Sequence, residues 1–199
     1  MYGLTARHQE IILADPVTYS LGTRRTNAYL PLGKMSPEKG NLEAMWIARK
    51  LGLKLYVVGG RMPTDDDSYE RLVQKLCTKP LVYVGDCAES GKIRLLQTCK
   101  ALIYAVGQLE IHSHKSVEAM MCGCPVIAYD MGALKEVIGP GGMVVQTCEQ
   151  FEQAILEVGA SGQLPTPTQC RNWAMKWAKD TVVAEVLTLL EQVAGGLRW

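Results

Sequence analysis

The 199 residues predict a doubly wound α/β fold: a Rossmann-like parallel sheet of about six strands, followed by a helical C-terminal segment. Three observations predict it. From residue 28 onward, short runs rich in Val, Ile, Leu and Tyr alternate with longer stretches of helical periodicity. Four of the short runs end at glycine, as buried strands leading into turns do. Past residue 148 only helical patterns remain.

The elements follow in chain order. Within residues 1–27, "EIILADPVTY" reads as one strand and "SLGTRRTN" as a polar connector, so this stretch is a linker or an edge strand. The strand candidates are "AYLPLG" (28–33), "KLYVVGG" (54–60), "PLVYVG" (80–85), "ALIYAVG" (101–107), "PVIAYD" (125–130) and "GMVVQ" (142–146). Between them, "GNLEAMWIARKLGL" carries apolar residues at Leu42, Met45, Trp46 and Leu51 and is closed by Gly52. "DDDSYERLVQKLC" opens with acids suited to a helix N-terminus. "ESGKIRLLQTCK" and "SVEAMMCG" complete the set, the latter ended by Gly123. A Rossmann-like domain over 28–165 is expected, with the "CEQFEQAILEVG" helix at its end. The helices of 166–199, "TQCRNWAMKWAKD" and "TVVAEVLTLLEQVAGG", are expected to pack on that domain.

Composition narrows the function. Hydrophobic content of 48% with 21% charged residues is globular, and the length suits one domain. A net charge of +1 gives no reason to expect nucleic acid or a membrane surface as partner. No apolar run approaches the roughly 18 residues of a membrane span, and no secretory signal is visible, so the cytoplasm is the expected compartment. Cys77, Cys87, Cys99, Cys122, Cys124, Cys148 and Cys170 form no C-x-x-C, and with His8, His112 and His114 they give no zinc spacing. Buried, reduced thiols are expected. Asp65, Asp66 and Asp67 read as partners of a helix dipole, not as metal ligands.

Six strands with right-handed crossovers suggest the order 3-2-1-4-5-6, in which the first and fourth strands are neighbours and ligands bind at their carboxyl ends. Two loops would then face each other. "GKMSPEKG" (33–40) supplies Lys34, Lys39 and a helix N-terminus near Gly40, a combination suited to pyrophosphate. "GQLEIHSHKS" (107–116) supplies Glu110 and, one helical segment on, Glu118; a carboxylate with two acceptor oxygens suits a vicinal diol such as ribose. Together they describe a nucleoside diphosphate. The first loop is neither G-x-G-x-x-G nor a Walker A loop.

"GKMSPEKG" resembles the G-R-x-x-x-x-K-G loop of the C-terminal domain of retaining glycosyltransferases with the GT-B fold, the group often called family four. "EIHSHKSVEAMMCGCPVIAYDMGALKEVI" resembles that group's E-x7-E segment, and "LVYVGDCAESGK" its F-x-G strand and loop. The similarity covers about residues 28 to 146. It implies that the chain is one half of a GT-B fold, the half that binds a nucleotide sugar. By the same resemblance Gly33, Lys34 and Lys39 would hold the donor diphosphate, with lysine at 34 where the family usually has arginine. Glu110 would lie near the transferred sugar, and Glu118 would accept from the ribose hydroxyls. Glu89 and Lys92, after the third strand, fall where the family contacts the base and phosphates. His112, Ser113 and His114 stand where the family has F-G-x; Ser113 replaces the glycine beside the donor phosphates, and His112 and His114, alternating on an extended loop, would stack on the donor or contact its phosphates.

The resemblance implies glycosyl transfer with retention, Lys34, Lys39 and Glu110 serving the chemistry, with no obligatory metal and no cofactor beyond the donor substrate. It also implies a facing N-terminal acceptor-binding Rossmann-like domain, on the same parent chain or a separate one, since 26 residues before the first strand are too few for one. Other readings are a non-catalytic nucleotide-sugar-binding or regulatory subunit and a nucleotide-sugar 2-epimerase fragment. Read without the motif, Lys39 and Glu110 are solvated loop charges, Glu118 pairs with Lys115, and Trp173 and Trp177 are helix packing residues at i,i+4.

Overall fold

The computed structural model describes residues 13–160 and 164–195. Six strands form a single parallel sheet: β1 (Ala28–Leu30), β2 (Lys54–Val58), β3 (Leu81–Gly85), β4 (Ala101–Tyr104), β5 (Val126–Tyr129) and β6 (Gly142–Val145). Their order, β3-β2-β1-β4-β5-β6, is the one the alternation predicts. β1 pairs with β2 through Ala28 and Lys54, and with β4 through Tyr29 and Ala101. It ends early because Pro31 has no N–H for the ladder; only an isolated bridge from Leu32 to Val58 continues it.

Strand residues divide between the two faces with a period of two. Ala28, Leu30, Leu102, Tyr104, Val126 and Ala128 point to one face, where they meet Leu96, Val117, Met120, Met121 and Ile138. These belong to α3 (Glu89–Thr98), α4 (His114–Met121) and α5 (Leu134–Ile138). Tyr29, Leu55, Val57, Ile103 and Ile127 point to the other, against Ala44, Ile47, Val73, Phe151 and Ile155. Those lie on α1 (Asn41–Lys50), α2 (Ser68–Leu76) and α6 (Cys148–Ala160). Each helix buries one apolar stripe against the sheet, which is how a doubly wound domain encloses its core.

Three expectations need correction. Residues 13–27 contain no strand of the sheet; the part of "EIILADPVTY" before residue 13 lies outside the described residues, and the rest runs as a connector. Polar anchors hold it. Arg25 donates to the carbonyls of Leu96, Cys99 and Cys122, and Arg171 to those of Pro16, Tyr19 and Met121. The expected helix through Trp173 and Trp177 is also interrupted. α7 (Pro167–Ala174) gives way to a 3-10 turn at Met175–Trp177 before α8 (Lys179–Ala194) begins. There the Ala14 N–H donates to Trp177 and the Lys179 N–H donates to Ala14, so the connector takes backbone groups that a continuous helix would use. The two indoles still pack, edge to face at 6.0 Å. Finally, all seven cysteines are free, but only Cys99, Cys122, Cys124 and Cys170 are buried; Cys77, Cys87 and Cys148 are partly exposed.

Among the described residues no helix is long and apolar enough to cross a membrane, and no cluster of His, Cys, Asp and Glu is arranged to hold a metal.

Candidate functional site

The two loops expected to face each other do meet, beyond the carboxyl ends of β1 and β4. Gly40 sits in the left-handed region at φ 69°, where a Cβ would lie 1.7 Å from the carbonyl oxygen of Ala105 just past β4. The Gly107 N–H donates to the carbonyl of Glu38 at 3.1 Å. This contact sets the 3-10 turn Pro37–Lys39 and the N-terminus of α1 against the β4 edge.

Across that seam the Lys39 ammonium donates to Glu110 Oε1 at 2.6 Å, with both side chains largely shielded from water. Burial works against the charge on Glu110. The Lys39 ammonium, the neighbouring Tyr104 hydroxyl and Lys115 outweigh it and hold the carboxyl below its ordinary range. The Glu110 backbone is fixed from a third side, where the Ala133 N–H donates to its carbonyl at 2.8 Å and Gly132 packs against it. A glutamate in an otherwise exposed loop is thereby buried and aimed.

One helix away lies a second polar cluster. Glu118, on α4, accepts from the Tyr19 hydroxyl at 2.7 Å and from Lys92 at 3.0 Å. Lys92 also pairs with Glu89 at 3.1 Å, and the Tyr19 hydroxyl bonds Glu89 as well. Glu89 and Lys92 stand on the first turn of α3. The Tyr19 hydrogen bond, ahead of Lys92, keeps the Glu89 carboxyl ionised to lower pH than usual. Burial opposes the Lys92 charge, but Glu118 and Glu89 outweigh it and raise its pKa. Glu118 pairs with Lys92 instead of Lys115. Each of its oxygens has one partner here, and a carboxylate oxygen has lone-pair room for another.

The remaining predicted residues are distributed as follows. Lys34 is turned outward to Asp65 at 3.0 Å, in an exposed pair; its carbonyl accepts from the Asn41 side chain at 2.9 Å. Asp66 accepts from the Ser68 N–H at 3.0 Å, at the start of α2. Gly33 has φ 153°, and its N–H donates to Val58 at 3.0 Å. Ser113 is buried, has a negative φ of −138°, and shares a hydrogen bond of 2.7 Å with Ser116 at the start of α4. Its side chain points into the protein, so the glycine usual at that place is not required by the backbone here. His112 and His114 meet edge to face at 4.9 Å.

Sequence reasoning missed Tyr19 and the position of Lys115. Tyr19 lies 70 and 99 residues from its carboxylate partners, so no local spacing announces it. Lys115 precedes Glu118 by three, which places the two on one helix face, and that signal was legible. A separate concavity lined by Pro140, Gly142, Leu164, Gln169 and Trp173 lies at the amino ends of the strands, away from all of these groups.

The doubly wound sheet thus sets lysines and buried or paired carboxylates together at the carboxyl edge of its switch point, where domains of this class bind their ligands. The chain belongs to the glycosyl transferases group 1, whose family model matches residues 32–160. Among curated proteins none matches the chain. Among solved structures, AviGT4, a glycosyltransferase involved in avilamycin A biosynthesis, is similar with a TM-score of 0.76 and 21% identity over 94% of this chain and 58% of that one. HepE of Anabaena, in complex with UDP and glucose, gives 0.71 and 19% over 93% and 55%. The sucrose-phosphate synthase of Thermosynechococcus elongatus gives 0.66 and 21% over 85% and 46%. At these identities the likeness is one of fold, and the chain spans about half the length of the chains it matches. Its architecture is that of one Rossmann-like half of a GT-B glycosyltransferase.

Proposed function

We propose that this domain binds a nucleoside-diphosphate sugar and serves a retaining glycosyltransferase. The observation that carries the reading is the shielded Lys39–Glu110 pair at the seam between the β1 and β4 loops, just before the helix that carries Glu118. Lys39 supplies positive charge where the diphosphate leaves the anomeric carbon, and preorganised charge of that kind is worth several kcal/mol of barrier. Glu110 faces the transferred sugar. Lys34 joins the phosphates by releasing Asp65, a cheap exchange because exposed ion pairs contribute little. Glu118 accepts from the ribose hydroxyls through its remaining lone pairs. No metal is required, since lysines and a helix N-terminus neutralise the leaving group.

The acceptor side is supplied by a facing domain. The half-length match to glycosyltransferase structures supports this, as does α8, whose Val183, Leu187 and Leu190 are exposed along an apolar face.

Calorimetry with UDP-, GDP-, ADP- and TDP-sugars in EDTA tests the donor reading. One of them is expected to bind without added metal; binding by none of them, or only after magnesium is added, would contradict it. Glu118→Gln is expected to weaken the best ligand by about 1–3 kcal/mol, roughly 5- to 150-fold, with thermal stability retained. Loss of stability with unchanged affinity would make Glu118 a structural residue.

A further inference from the structure

We infer that Lys115 is a further cation of the diphosphate subsite, recruited to the donor phosphates from the first turn of α4. The inference rests on the donor-binding reading above. Lys115 Nζ lies 2.8 Å from the position a Cβ would occupy on Gly33. The glycine thus opens the space that the ammonium enters, directly beside the loop after β1. Beneath it is the Tyr104 ring, 4.3 Å from Nζ to centroid.

What the ammonium lacks is an oxygen. Among the described residues no hydrogen bond or ion pair reaches it. The two carboxylates that face it are already engaged, Glu110 by Lys39 and Glu118 by Lys92 and Tyr19. An aromatic face attracts a cation but offers no acceptor to its three N–H donors. A half-buried ammonium in that state is costly unless an anion arrives. Lys39, Glu110 and Lys115 together carry a net charge of +1, while Lys34, the other lysine of the loop, is turned out to Asp65. Lys115 is therefore the crevice cation that no carboxylate of the described residues neutralises.

Its ionisation fits the same role. Burial, reinforced by the nearby Lys39 and only partly offset by Glu110 and Glu118, pushes the Lys115 pKa down to about 8. The groups facing it are Lys39 from the 3-10 turn, Glu110 and the Tyr104 hydroxyl from β4 and its loop, and Glu118 from its own helix. A bound diphosphate stabilises the charged form and raises that pKa. Binding therefore takes up a proton above about pH 8, and affinity falls as the pH rises through that region.

The test uses the tightest-binding of UDP, GDP, ADP and TDP together with its parent nucleoside, measured by calorimetry at pH 7.5 and 9.5. Lys115→Met is expected to weaken the diphosphate about tenfold to a hundredfold at pH 7.5 and to change nucleoside binding by less than threefold. The wild type is expected to lose about tenfold in diphosphate affinity between the two pH values. Lys115→Arg should keep most of the affinity and lose the fall, because a guanidinium does not titrate there. If the Met variant does not fold, the wild-type pH response and the Arg variant decide the matter. Diphosphate affinity within twofold of wild type in the Met variant, an equal loss for nucleoside and diphosphate, or a pH response kept in the Arg variant would each overturn the inference while leaving the donor reading intact. A wild type that binds none of the four diphosphates overturns both.

Discussion

The 199-residue chain alone is expected to bind its donor and to transfer no sugar to an external acceptor. Transfer needs an acceptor hydroxyl held close to the anomeric carbon, and positioning of that kind is worth about 7–11 kcal/mol of barrier, or a factor of about 10⁵ to 10⁸. Among the described residues the groups at the crevice come from one side: Lys39, Glu110 and Lys115 at the seam, and Glu118, Lys92 and Tyr19 beyond it. The glycosyltransferase structures it resembles carry roughly as much chain again. Slow donor hydrolysis is the most the lone domain should achieve. A symmetric dimer would help only by setting one protomer's surface over the other's crevice, which an isologous two-fold contact rarely does. The check is incubation of the purified chain with the tightest-binding radiolabelled donor and a broad acceptor panel, repeated after adding candidate N-terminal partners. Robust transfer by the chain alone would refute the expectation. Activity that appears only with a partner also removes the purely non-catalytic reading.

Gly40→Ala is expected to destabilise the fold by about 2–5 kcal/mol and to weaken donor binding at the same time. Two costs add. At φ 69° a side chain other than glycine's loses about 1–2 kcal/mol. The new Cβ would also lie 1.7 Å from the Ala105 carbonyl oxygen, so backbone must move, and overpacking of that sort costs about 1–3 kcal/mol. The movement separates the loop after β1 from the end of β4, the seam across which Lys39 reaches Glu110. Urea denaturation measures the first effect and calorimetry the second. Gly52→Ala is the control: φ is 65° but nothing lies within 4 Å, so only the conformational cost should appear. Equal losses at the two positions would show that the close approach at Gly40 carries no energy of its own.

The core of the domain was legible because its signals are local. Val126, Ile127 and Ala128 alternate between the faces of β5, and their apolar run is bounded by turn residues on both sides. Gly123, at φ 74°, lets the chain turn out of α4 toward β5. Where the reading failed, distant chain had intervened: Ala14 breaks the helix near Trp177, a residue more than 160 positions later in the sequence.

The same division runs through the site. By itself the sequence determined the strand order and the residue types at the crevice, because hydrophobic periodicity and loop composition depend on near neighbours. It also determined that Glu110 and Glu118 would bracket the start of α4. Pairing was decided only by the tertiary structure. Glu118 takes Lys92 and Tyr19 rather than Lys115, Lys34 leaves the crevice for Asp65, and Lys115 is left over Tyr104 beside Gly33. The physical reason is that a charge chooses its partner by distance and desolvation in three dimensions. Those distances are set by how α3, α4 and the connector carrying Tyr19 pack on one sheet face.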